Sequence, residues 1–171
     1  MSTTETPDQN PMNAEPQKQH RWLQQLVGEW TYEGEASMGP DKPAEKFSGT
    51  ESVRSIGGLW TLAEGRGEMP DGGVATTVMT LGYDPQKGRY VGTWIGSMMT
   101  WLWIYDGQMD ADERVLTLNS EGPAMTGAGK TAKYKDVIEI RNADHRVLSS
   151  HLLGEDGQWH HFMTAHYRRK P

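Results

Sequence analysis

Two hydrophobic periodicities divide the chain. In HRWLQQLVGEW, Trp22, Leu23, Leu26 and Val27 fall at helical spacing, and Gly28 follows as a stop signal. The spacing predicts a short amphipathic helix from about Glu15 to Val27. A helix that short is not stable alone, so its apolar stripe must dock on another element. From Gly28 onward the pattern changes to runs rich in β-branched and aromatic residues: EWTYEGEAS, FSGTESVRSI, LWTLAEGRGEM, VATTVMTLGYD, RYVGTWIGS, TWLWIYDGQMD, RVLTLNSEG, KYKDVIEIRN, HRVLSSHLLGED and QWHHFMTAHYRR. Turn signals separate them, among them Gly57-Gly58, Asp84-Pro85 with Gly88, Asp106-Gly107, Asn142-Ala143-Asp144 and Asp156-Gly157. Short strands at this spacing indicate an antiparallel meander, and no second helical pattern interrupts it to make a parallel sheet. A meander this long must hide its edges, and closure does so. The predicted fold is mainly β: a closed antiparallel up-and-down barrel of about ten strands with a short N-terminal helix.

Several strands are apolar on both parities. In TWLWIYD, Leu102 and Ile104 alternate with Trp101, Trp103 and Tyr105, so both faces of that strand call for cover, from the helix or a partner subunit. Glycines inside strands (Gly34, Gly65, Gly67, Gly92, Gly96) suit the bends of a curved sheet.

Composition sharpens this picture. Gly accounts for 20 of 171 residues, and there are 7 Trp and 10 Met against 2 Phe. The length suits one domain with a real core. With no cysteine, disulfides, thiolate metal sites and cysteine nucleophiles are all excluded. Residues 1–17 are polar, contain proline and lack the basic start and apolar stretch of a secretory signal, so they read as a disordered leader ahead of one barrel domain over 18–171. The expected compartment is the cytoplasm. Glu5, Asp8 and Glu15 lie in that leader without a basic residue, which leaves the body only mildly acidic out of a net charge of −6. That balance argues against nucleic acid as a partner. No run approaches the roughly 18 apolar residues that a membrane-spanning helix needs.

Gly28-Glu29-Trp30 opens the first strand and Tyr167-Arg168-Arg169 closes the last. This pairing resembles the signature of the calycin superfamily, the lipocalins and fatty-acid-binding proteins. There Trp30 would plug the barrel and a guanidinium, taken as Arg168, would stack on it. A more specific resemblance runs from about His20 to Lys170. WLQQLVGEWTYEG, IGGLWTLAEGRGEM, LGYDPQKGRYVGTWIGS and GQWHHFMTAHYRRK are similar to the family called domain of unknown function 1579. The resemblance implies a calycin-like fold and no particular activity. Gly96 stands where that family's pattern suggests an acidic residue, and the tail HHFMTAHY is unusually rich in histidine.

The candidate chemistry follows from a lumen. Trp60, Met79, Trp94, Met98, Trp101, Trp103 and Trp159 are the apolar lining expected of a small-molecule pocket, with plain core or a homodimer face as the alternative. On the last strand, His161 shares the parity of Trp159 and Met163; if those face inward, His161 does too, with His151 beside it. Such a histidine could hold a ligand's carbonyl or carboxylate. It could also ligate haem axially, as in the haem-binding nitrobindin-like barrels that this architecture resembles, although no cofactor is the first expectation. Neither HExxH nor HxH occurs, so no zinc site is expected. Glu64 with Arg54 is a conceivable inward pair, and Asp136 also sits on an otherwise apolar strand. AMTGAGKT loosely matches a phosphate-binding loop, but the strand-like AKYKDVIEI that follows supplies no helix N-terminus. Without a Gly-x-Ser-x-Gly elbow or an acid–base pair, an enzyme is the weaker reading. The leading expectation is a barrel that binds a small hydrophobic or amphipathic molecule in its lumen.

Overall fold

A computed structural model describes residues 12–37, 39, 41–69, 72–127 and 129–171. A single helix, α1 (Lys18–Gln24), leads into ten strands: β1 (Gly28–Ala36), β2 (Glu45–Ile56), β3 (Trp60–Glu68), β4 (Val74–Asp84), β5 (Arg89–Gly96), β6 (Trp103–Met109), β7 (Val115–Pro123), β8 (Thr131–Asn142), β9 (His145–Leu153) and β10 (Trp159–Arg169). Every strand pairs antiparallel with its sequence neighbour, and β1 pairs with β10 to close the barrel. The ten strands are the ten runs of the sequence. Of the leader expected over 1–17, residues 1–11 lie outside the described residues.

The helix is shorter than its pattern suggests. After Gln24 the chain tightens into i→i+3 bonds, Leu26 N–H to Leu23 O (3.0 Å) and Val27 N–H to Gln24 O (3.1 Å). That turn delivers Leu23 and Leu26, both buried, into the end of the barrel where β1 begins. His20 fixes the other end of the helix: its Nδ1 accepts from Gln17 N–H (3.0 Å), so its Nε2 donates to the Tyr83 carbonyl (3.0 Å). Trp22 Nε1 donates to the Glu113 carbonyl in the β6–β7 turn. The helix is therefore a plug, held at both ends.

Beneath the plug Trp30 is 1% exposed and donates Nε1–H to the Leu26 carbonyl (2.9 Å). The guanidinium stacked on it belongs to Arg169, 4.3 Å from the ring centroid, not to Arg168. Arg169 is the residue in register with Trp30, and it donates to the carbonyls of Val27 and Ala143. Arg168 has the opposite parity and is exposed.

Several strand glycines lie under large rings. Trp103 lies where a Cβ on Gly122 would be, Trp94 over Gly96, Trp60 over Gly82, and Tyr32 over both Gly49 and Gly67. A large ring lying flat on the sheet needs a residue without a side chain beneath it, which is how aromatic residues rescue strand glycines.

Candidate functional site

The lumen has two unlike halves. Toward the plugged end Val53, Leu81, Tyr90, Leu116, Leu118, Ile138 and Ala165 are all under 5% exposed, with Tyr83, Met109 and Ile140 half-buried beside them. Toward the other end, where the longer loops lie, Phe47, Met79, Trp94, Trp103, Leu152 and Met163 face the same way and are only half-buried. The inward side chains are therefore more tightly covered beneath the helix than toward the opposite mouth.

The open half is walled by rings. Trp103 meets Tyr134 edge-on with centroids 4.9 Å apart, and Tyr134 meets Phe162 at 6.2 Å. Tyr32 lies tilted against Tyr167 at 5.1 Å. The loop between β5 and β6 curls onto the rim: Met98 lies over Gly96 beside Trp94, and Met99 accepts a hydrogen bond on sulfur from Trp103 Nε1 (3.1 Å). Trp101 Nε1 donates to the Glu121 carbonyl (3.1 Å) on the same rim.

Below these rings lie two polar groups. Arg146 is ion-paired with Glu51, and its guanidinium sits 4.1 Å from the Tyr167 ring centroid and 4.8 Å from that of Trp30. The pair is deep in the wall, with side-chain exposures of 6% and 12%. Asp136 accepts from the Tyr105 hydroxyl on Oδ2 (2.5 Å) and from the Ser150 hydroxyl on Oδ1 (2.6 Å). Part of its surface stays open to the lumen, but it is ringed by barrel wall. Desolvation therefore pushes its carboxyl above the ordinary value, outweighing the two hydrogen bonds that pull it down. Burial likewise pushes the Tyr105 phenol well up, and Asp136's charge adds to it. Tyr167 is also held well above its usual value, by burial first and Glu51 second.

Of the residues expected at a site, Met79, Trp94 and Trp103 wall the open half, and Met98 and Trp101 form its rim. The other five do not face the lumen. Glu64 pairs across from Val78 on the outer parity and is exposed, as is Arg54, so the two make no inward pair. Trp60 covers Gly82 from outside. His151 is outside because it alternates with inward Ser150 on β9, and His161 and Trp159 are outside because the register of β10 against β9 shifts between His161 and Met163. Phe162 is the extra residue of this bulge, so Met163 faces inward while His161 and Trp159 face outward. The outer placement is visible in their partners: Lys135 Nζ lies 4.5 Å over the Trp159 ring, and His161 bonds Thr164. His160, at the rim, is tied to Asp156 (3.0 Å). Among the described residues no histidine reaches the lumen interior, so the side chains do not fit an axial haem ligand. The segment Ala124–Thr131 joins β7 to β8, and a strand follows it where a phosphate loop needs a helix.

Sequence reasoning passed over Glu51, Tyr105, Arg146 and Ser150 and left Asp136 undecided. A signal was present. Phe47, Glu51 and Val53 share a parity, as do Tyr134, Asp136 and Ile138, and Arg146, Leu148 and Leu152. In each set a charged residue sits on the apolar face of its strand. Elsewhere, a polar groove of about 620 Å³ runs over the outer faces of β10, β1, β2 and β3. Its Arg66 and Arg168 are offset by Glu33 and Glu68, so no charge selects a ligand there. Leu102, Ile104 and Ile95 are exposed on the outer face at 51%, 64% and 48%.

The profile of a family described as "Protein of unknown function (DUF1579)" matches residues 15–169. No curated protein matches the chain. Among solved structures, Rv2717c from M. tuberculosis is similar over 92% of this chain and 100% of its own, with a TM-score of 0.61 at 14% identity. EF1p2_mFAP2b bound to DFHBI matches over 89% of this chain and 99% of its own, with a TM-score of 0.48 at 13% identity. A redesigned β-barrel covers 88% of this chain and 96% of its own, with the same score at 10% identity. Among the described residues no helix is long and apolar enough to cross a membrane.

Proposed function

We propose that this chain, which belongs to the DUF1579 family of proteins of unknown function, binds a small hydrophobic or amphipathic molecule in the open half of its barrel. One observation carries the reading: inward Phe47, Met79, Trp94, Trp103 and Met163 stay half-buried, while Val53, Leu81, Leu116, Leu118 and Ile138 toward the plugged end are sealed. These side chains pack against the core on one side and keep apolar surface within reach of solvent on the other, and a concave apolar wall with a few placed polar groups is what a small-molecule site requires. The rings and methionines supply an adaptable wall, and the hydroxyls and charges below them supply orientation.

Nile red, neutral and polarity-sensitive, tests this in the full chain. The expected result is saturable binding of one dye per chain with a blue-shifted emission. Trp94→Ala should weaken it by roughly fivefold, the effect of losing one wall ring. Ile104→Ser, on the outer apolar face, should leave it unchanged. Unsaturable binding, or an equal loss in Ile104→Ser, would show that the dye reports the outer surface and not a lumenal site.

A further inference from the structure

Three charged groups face the lumen below the rings: Glu51, Arg146 and Asp136. Glu51 and Arg146 neutralise each other. Asp136 has no counter-ion among the described residues; its two partners are the hydroxyls of Tyr105 and Ser150, which orient the carboxylate and carry no charge. A desolvated carboxylate without a counter-ion is costly to fold around, and a neutral residue of the same size would avoid the cost. Nor is the carboxylate sealed in. Tyr105 is 4% and Ser150 6% exposed, while Asp136 between them keeps surface open to the lumen.

Arg146 is the opposite case. Its guanidinium is covered by Trp30 and Tyr167 and its charge is offset by Glu51 through one terminal nitrogen, although the buried Nε has no partner, so the pair is close to neutral and the uncompensated charge facing the lumen is that of Asp136. The rings add to the same preference. Trp103 is one inward position above Tyr105, and Tyr134 is one above Asp136, so aromatic rings stand at the level just over the carboxylate. Aromatic faces attract cations.

Resting on the lumenal reading above, we infer that the ligand is an organic cation: a hydrophobic body carrying a protonated amine, with the ammonium docked on Asp136 and the body among the rings of Trp94, Trp103 and Tyr134. Tyr105 and Ser150 act as positioning residues that hold the carboxylate toward the incoming group.

The test displaces Nile red from the full chain with three matched probes: 2-(2-naphthyl)ethylamine, 2-(2-naphthyl)ethanol and 3-(2-naphthyl)propionate. The amine should bind about tenfold more tightly than the alcohol, with the carboxylate weakest of the three. In Asp136→Asn the amine-to-alcohol ratio should fall toward one. The three-probe comparison on the unmutated chain stands whether or not that variant folds. Equal displacement by the three probes, tightest binding by the propionate, or an amine preference that survives in Asp136→Asn would each overturn the inference while leaving a lumenal site in place. Failure of Nile red to bind at all would overturn the lumenal reading and this one with it.

Discussion

Asp136 places opposite demands on the fold. As a binding group it must be charged and reachable; as a buried residue it is better neutral. Its folded-state carboxyl is pushed up from the ordinary value of 3.8, chiefly by desolvation. The charged and titratable groups around it are Tyr105 from β6 and Tyr167 from β10, both held neutral by burial, with Ser150 from β9 as a neutral donor. A raised acid means that the native state holds a proton which the unfolded chain has already lost. Stability therefore falls as pH rises from the unfolded value through the folded one, and the loss is complete above it. Asp136→Asn removes the group that titrates. Its melting temperature should exceed that of the native chain at pH 8, and the gap should close as the pH is lowered through that window. A variant less stable than the native chain at every pH would assign Asp136 a structural role instead. Loss of stability accepted for the sake of a site is a common pattern at functional residues.

At the scale of single elements, the bulge at Phe162 decides which side of β10 carries chemistry. Because His151 and His161 stand on the outer face, His151→Ala and His161→Ala should each leave Nile red affinity within about twofold of native, as surface substitutions do. Haemin added to the chain should give no Soret feature that changes in His161→Ala. A loss of affinity in His161→Ala would mean that β10 runs through the barrel in another register, and a loss in His151→Ala would say the same of β9. The same element shows what a sequence can and cannot convey. Alternation was readable wherever the strand was regular: β4 has the bounds of its run, Val74–Asp84, and β8 carries Tyr134, Asp136, Ile138 and Ile140 on one parity. Alternation failed where one inserted residue switched the faces, since a slip of one position turns every side chain to the other side. Choosing between Arg168 and Arg169 turned on the same single step. The partnership of Glu51 with Arg146 spans 95 positions, and no local pattern says which strands face each other across a closed lumen.

The whole molecule is built as a packed half and an open half, and stability should divide the same way. Leu116 is fully buried under the plug, on the strand beside β8 and within the cluster that holds Leu23 and Trp30. Leu116→Ala removes contacts on all sides and leaves a cavity that sealed neighbours cannot fill, at about 2–5 kcal/mol. Leu152 also faces inward, at the mouth, where it is half-buried. Truncation there removes contacts on one side only, and solvent already reaches the space, so Leu152→Ala should cost roughly 1 kcal/mol or less. Urea midpoints of the two variants measure the difference. If the mouth were packed as densely as the plugged end, the two losses would match, and a lumen filled by its own side chains would have no volume for a ligand. The stability comparison is thus an independent check on the binding site, made without knowing what binds.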